Sequence, residues 1–175
     1  MEKIITPEFR GSFVSILEPQ SMPGAPEGSK AKYQITIPLA KTDPFWKQLE
    51  TQIEQAAMEK WGKIPPRLKK PIKDGDELQR EEFADKFTVQ ATTLNRPGIV
   101  DKALQPIMDP DEIYSGAYYR ASVRCFAWEH PTGGKGVSVA LDNVMKIKDG
   151  PAFSGKTDAA SDFADFGASE SSLLD

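Results

Sequence analysis

Ala117-Tyr118-Tyr119-Arg120-Ala121-Ser122-Val123-Arg124-Cys125-Phe126-Ala127-Trp128 is the stretch whose alternation decides the fold. One face reads Ala117, Tyr119, Ala121, Val123, Cys125 and Ala127, small and apolar as the inside of a tightly curved sheet requires. The other reads Tyr118, Arg120, Ser122, Arg124, Phe126 and Trp128. Successive side chains of a strand point to opposite sides. A chain that buries the first set therefore presents three aromatic rings and two guanidinium groups to solvent.

Working outward, Val137 to Ile147 reads as a second strand, joined to the first by the turn-rich Glu129-His130-Pro131-Thr132-Gly133-Gly134-Lys135-Gly136, so the two form a hairpin. Lys32-Tyr33-Gln34-Ile35-Thr36-Ile37-Pro38-Leu39 and Lys86-Phe87-Thr88-Val89-Gln90-Ala91-Thr92 alternate in the same way. Phe9 to Leu17 is strand-like, with a bulge or bend expected at Gly11. One helix is signalled between them: Asp43 suits the N-cap, Pro44 the first turn and Gly62 the stop. Phe45, Trp46, Leu49, Ile53, Ala56 and Ala57 fall on its one apolar side. Five strands and one amphipathic helix predict a mainly β protein, a five-stranded OB-type antiparallel barrel plugged by the helix, with a β-sandwich as the alternative.

Length and charge place the rest. The chain has 175 residues, 39% of them hydrophobic, which fits one domain with an appendage. Residues 1–151 are expected to form the domain. Residues 152–175 are mostly Ala, Ser, Gly and Asp and cannot bury enough apolar surface to offset ordering, so a disordered acidic tail is expected there. The net charge of −4 resides in that tail: residues 157–175 carry five acids and no Lys or Arg, leaving 22 basic and 21 acidic groups upstream. A body that is close to neutral can carry a local positive face.

Several chemistries lack their parts. The single cysteine, Cys125, and the single histidine, His130, cannot build a Cys-rich zinc site or a His-based triad. Cys125 reads as a small core residue and His130 as a turn residue. Gly133-Gly134-Lys135-Gly136 lacks the glycine spacing and the Ser/Thr of a phosphate loop. Asp109, Asp111 and Glu112 could make a carboxylate-dependent nuclease site, but a polar turn explains them more simply. No cofactor, metal or catalytic residue is expected. No apolar run spans a bilayer and the N-terminus has no signal-peptide pattern, so the expected location is the cytoplasm.

Rings interleaved with cations on a solvent-facing strand suit an unpaired nucleic acid strand. Each base has a π-face worth about 1–3 kcal/mol when stacked on an aromatic side chain, and arginine adds phosphate pairing and cation–π contact. The expected binding residues are Tyr118, Arg120, Arg124, Phe126 and Trp128. Flanking cations join them: Arg67, Lys69 and Lys70 from the acid-free 63–73 arm, Arg96 of Leu94-Asn95-Arg96-Pro97-Gly98, and Lys135 of the hairpin loop. Two other readings stand beside this one. The face could pack beneath the helix or tail, or it could hold a polypeptide and make the protein a recruitment adaptor. In the tail, Asp162, Phe163, Asp165 and Phe166 place two rings among carboxylates, a pattern that docks in a basic-rimmed pocket of a partner or folds back on the chain's own basic face.

The run Tyr114-Ser115-Gly116-Ala117-Tyr118-Tyr119-Arg120-Ala121-Ser122-Val123, with Gly133-Gly134-Lys135-Gly136-Val137-Ser138-Val139-Ala140-Leu141-Asp142-Asn143-Val144 and the loop Arg96-Pro97-Gly98-Ile99-Val100-Asp101, resembles the small single-stranded-DNA-binding proteins of tailed bacteriophages. The likeness spans roughly Phe9 to Gly150. It implies an OB-fold that coats single strands during phage replication and recombination in the bacterial host cytoplasm. It further implies an acidic tail that recruits replication proteins and competes with DNA. Such tails often end in an aromatic residue, whereas this chain ends Leu173-Leu174-Asp175.

Overall fold

The computed structural model describes residues 2–21 and 30–153, together with Phe163 and Phe166. Asp162 and Asp165 lie outside the described residues, as does nearly all of the expected tail. The described chain runs β1 (Ile4–Ile5), β2 (Phe9–Arg10), β3 (Ser12–Gln20), β4 (Lys32–Ala40), α1 (Pro44–Trp61), β5 (Lys73–Asp74), β6 (Lys86–Thr93), β7 (Gly98–Val100), β8 (Tyr118–His130) and β9 (Gly134–Lys148).

The long strands β3, β4, β6, β8 and β9 are the five that alternation predicts. The expected five-stranded antiparallel barrel is nonetheless corrected. Nine strands form one sheet in the order β1-β8-β9-β6-β4-β3, and that ladder stays open. The four additional strands are two or three residues long, too short to show a period of two. The sheet is also mixed, because β6 and β7 both run parallel to β9.

The expected Phe9–Leu17 strand is split at Gly11, where the chain leaves β8 for β4. A Cβ on Gly11 would lie 2.7 Å from ring carbons of buried Tyr119, so the crossing needs a residue without one. Tyr119 is pinned in turn: its hydroxyl donates to Tyr114 O at 2.7 Å and accepts from Tyr114 N at 3.0 Å.

α1 takes the predicted bounds. Asp43 accepts from Phe45 N at 2.9 Å, and Gly62 adopts φ 70° while its N–H closes the helix on Met58 O. The anticipated apolar side is buried, and Gln52 is buried with it. Its amide stitches helix to sheet, accepting from Cys125 N and donating to Glu2 O, each at 2.7 Å. The core behind the sheet unites Val123, Val139, Ala91 and Ile35, from four neighbouring strands, with Leu49 and Ile53 of α1. Cys125 belongs to it, and burial pushes its thiol up to about 12. Such a group is inert. No described helix is long and apolar enough to cross a membrane.

Chain packing continues past the expected boundary at Pro151. The Arg10 guanidinium donates to Gly116 O and Pro151 O and lies 4.1 Å from the Phe153 ring centroid. Phe153 N donates to Ser115 O at 3.1 Å. Ala152 and Phe153, assigned from the sequence to the tail, are therefore seated on the domain.

Candidate nucleic-acid interface

β8 holds its alternation from Tyr118 to Phe126. Tyr119, Ala121, Val123 and Cys125 are buried; Arg120, Arg124 and Phe126 are exposed. Such a long strand normally needs bulges to curve. Here both register shifts, at Tyr118/Tyr119 and Ser122/Val123, place the extra residue on β9, as Ile147 and Asp142. The faces of β8 consequently never swap.

Phe126 sits opposite Ser138 and Trp128 opposite Gly136. Trp128 lies across its partner strand: a Cβ on Gly136 would fall 2.3 Å from a Trp128 ring carbon, and the indole N–H donates to Ser138 Oγ at 2.9 Å. The ring is thus held flat and half-buried by a glycine that leaves room and a serine that fixes its edge. Phe126 stands freer, at 42% exposure.

The basic arm docks on β9, the partner strand of β8. Lys69 N donates to Lys135 O, Val137 N donates to Lys69 O, both at 3.0 Å, and Lys69 bridges to Gly136. That seam brings the Lys69 ammonium to 5.9 Å from the Trp128 ring centroid. Lys63, Arg67, Lys69, Lys70 and Lys73 are all exposed, and none is in an ion pair among the described residues. Uncompensated cations beside a bared aromatic strand form an electrostatic seat for a polyanion.

Residues 2–173 match the family described as Enterobacter phage Enc34, ssDNA-binding protein. The chain belongs to that family. Protein p50 of Acyrthosiphon pisum secondary endosymbiont phage 1 is 30% identical over 167 residues, covering 87% of each chain. Among solved structures, the single-stranded DNA-binding protein of bacteriophage Enc34 in complex with ssDNA superposes with a TM-score of 0.74 at 25% identity, over 86% of this chain and 89% of that one. Bacteriophage T7 gp2.5, a single-stranded DNA-binding protein, has a TM-score of 0.62 at 16% identity over 94% of both chains, a likeness of fold.

Within this member of the Enc34 family the remaining anticipated residues separate. Lys135 is shared between Glu129, at 3.4 Å, and the Trp61 ring, at 5.5 Å. Arg124 donates to Asp142 at 2.9 Å, a partner supplied by the β9 bulge and invisible to the alternation of β8. Arg120 is exposed and has no ion pair among the described residues. Arg96 is exposed on the turn leading to Gly98, whose N–H donates to Asn143 opposite Ser122.

Tyr118 lies apart, at the other end of β8. It lines a cavity of about 700 Å³ with Phe9, Arg10 and Phe153, beneath the Lys148 ammonium. His130 ends β8 with its ring edge-on to Trp128 at 6.1 Å. Asp109 caps a turn through Asp111 N, and Glu112 pairs with Lys146 at 2.7 Å, so that acidic cluster holds the loop together. Phe163 and Phe166 are exposed.

The floor beside the rings is not apparent from the sequence. Register carries the Phe126 face through Ser138 and Ala140 to Thr92 and on to Gln34. These are the half-buried outer positions of alternating strands, polar apart from Ala140, and only strand order reveals that they adjoin.

Proposed function

We propose that this protein binds single-stranded DNA, without catalysis and with little sequence preference, in phage DNA replication and recombination. The observation that carries the reading is Trp128 laid flat between Gly136 and Ser138, with Phe126 two residues away and the uncompensated 63–73 arm alongside. Rings stack unpaired bases, while Lys69, Lys70, Arg67 and the outlying Arg96 track phosphates. Arg120 and Lys135 contribute at the margins. Arg124 contributes after exchanging Asp142 for phosphate. Tyr118 marks where a long strand would leave the face. Bases inside a duplex already stack on one another, so the site favours single strands.

The acidic tail, with Asp162, Phe163, Asp165 and Phe166, supplies a second activity. It recruits replication proteins and competes with DNA for the cationic seat. The domain ends with the docked Phe153, and the tail follows.

Titration of fluorescein-labelled oligo-dT, and of the same sequence as duplex, separates the readings. Preference for the single strand, with affinity falling steeply as salt rises, is the expected result. Equal affinity for both forms would contradict base stacking, and no affinity for either would favour a polypeptide-binding adaptor. Removal of residues 154–175 tightens binding if the tail competes and leaves it unchanged if not.

A further inference from the structure

We propose that Gln34 and Gln90 form a reversible base-edge reader on the floor of the same face, and that this pair makes recognition of unpaired bases tolerant of sequence. The inference rests on the stacking role of that face.

Gln90 Nε2 lies 2.6 Å from Gln34 Oε1, joining β4 to β6. Both side chains are half-buried, and both share the Phe126 face through the ladder of partners from β8 to β4. Two amides in contact must meet donor to acceptor. Whichever donates, the groups left facing outward are unlike: the NH2 of one glutamine and the C=O of the other. The couple therefore presents a donor beside an acceptor.

Every base carries the complement on its Watson–Crick edge. Cytosine and adenine set an amino donor beside a ring-nitrogen acceptor, whereas thymine and guanine set a carbonyl beside a ring N–H. Rotating both amides half a turn inverts the polarity of the pair while preserving its internal hydrogen bond, since amide oxygen and nitrogen are nearly the same size. One pair can thus answer either kind of edge. It answers only unpaired bases, because a duplex has those edges engaged. Stacking on Phe126 and Trp128 and edge contact at Gln34 and Gln90 would then use different parts of neighbouring nucleotides.

The test measures affinity for oligo-dT and for an oligomer of equal length alternating dG and dT, with a thermal melt of each variant. The double variant Gln34→Leu, Gln90→Leu removes both partners together, which leaves no orphaned polar group and spares the fold. Its affinity for both oligomers should fall about 5- to 30-fold. Gln34→Glu supplies the sharper result. A carboxylate only accepts, so Gln90 must donate to it, and two acceptors then face the base. Guanine sets two adjacent donors, its ring N–H and its amino group, against them, whereas cytosine and thymine each set one. The oligomer alternating dG and dT should therefore be favoured over oligo-dT by about 5-fold or more relative to the unaltered protein. An equal loss on both oligomers reports only the added negative charge and overturns the proposal. So does unaltered binding by the double variant while Phe126→Ala weakens it. If Phe126→Ala and Trp128→Ala also bind normally, the stacking reading itself has failed, and the glutamine pair falls with it.

Discussion

Truncating Phe126 to alanine removes the barest ring on the face without touching the seam that holds Trp128. At 42% exposure the ring gives up roughly half of its burial, so stability should drop by about 1–2 kcal/mol, less than the about 3–5 kcal/mol of a fully buried phenylalanine. Binding loses a stacking partner worth about 1–3 kcal/mol, or about 5- to 150-fold in affinity. The two effects are separable because Phe126 points away from the core formed by Val123 and Val139. Anisotropy of labelled oligo-dT at one fixed salt concentration reads the affinity, and a thermal melt reads the fold. A lower melting temperature with unaltered affinity would refute the reasoning, because the ring would then be structural only.

Gly136→Ala should push the Trp128 ring off its seat, since the new methyl would stand 2.3 Å from a ring carbon; anisotropy should show affinity lower by about 5-fold or more. Replacing Lys69 and Lys70 with glutamine should flatten a plot of log affinity against log salt by about 0.7 for each phosphate no longer neutralised, and an unchanged slope would remove them from the strand's path. Asp149 offers a test of the far end of the hairpin. Its hydrogen bond from the Lys146 ammonium holds the carboxyl below its usual range. A lowered carboxyl stabilises the fold above its ordinary titration range, and the benefit vanishes as pH falls through the lowered value. The melting-temperature gap between the protein and Asp149→Asn should accordingly be widest near pH 7 and close on acidification.

The hairpin face was legible because β8 keeps a period of two from Tyr118 to Phe126 and the bulges fall on β9, where they do not disturb it. α1 was legible from its two caps. What escaped depends on neighbours distant in sequence. Lys69 meets Trp128 only because its backbone bridges to Gly136, and Gln34 meets Gln90 only because β4 lies beside β6. Arg124 looks unpaired along its own strand, yet the bulge aims Asp142 at it. An antiparallel barrel was expected because alternation reports which face is buried and carries no information on the direction of a neighbour. The parallel β6–β9 pairing was therefore invisible.

The most direct measurement uses the indole itself. Of the chain's three tryptophans, Trp46 and Trp61 can be replaced by phenylalanine so that Trp128 alone reports. Added oligo-dT should change Trp128 emission with a saturating curve whose midpoint matches the anisotropy titration. Full binding by anisotropy with Trp128 emission unmoved would mean that the strand runs elsewhere.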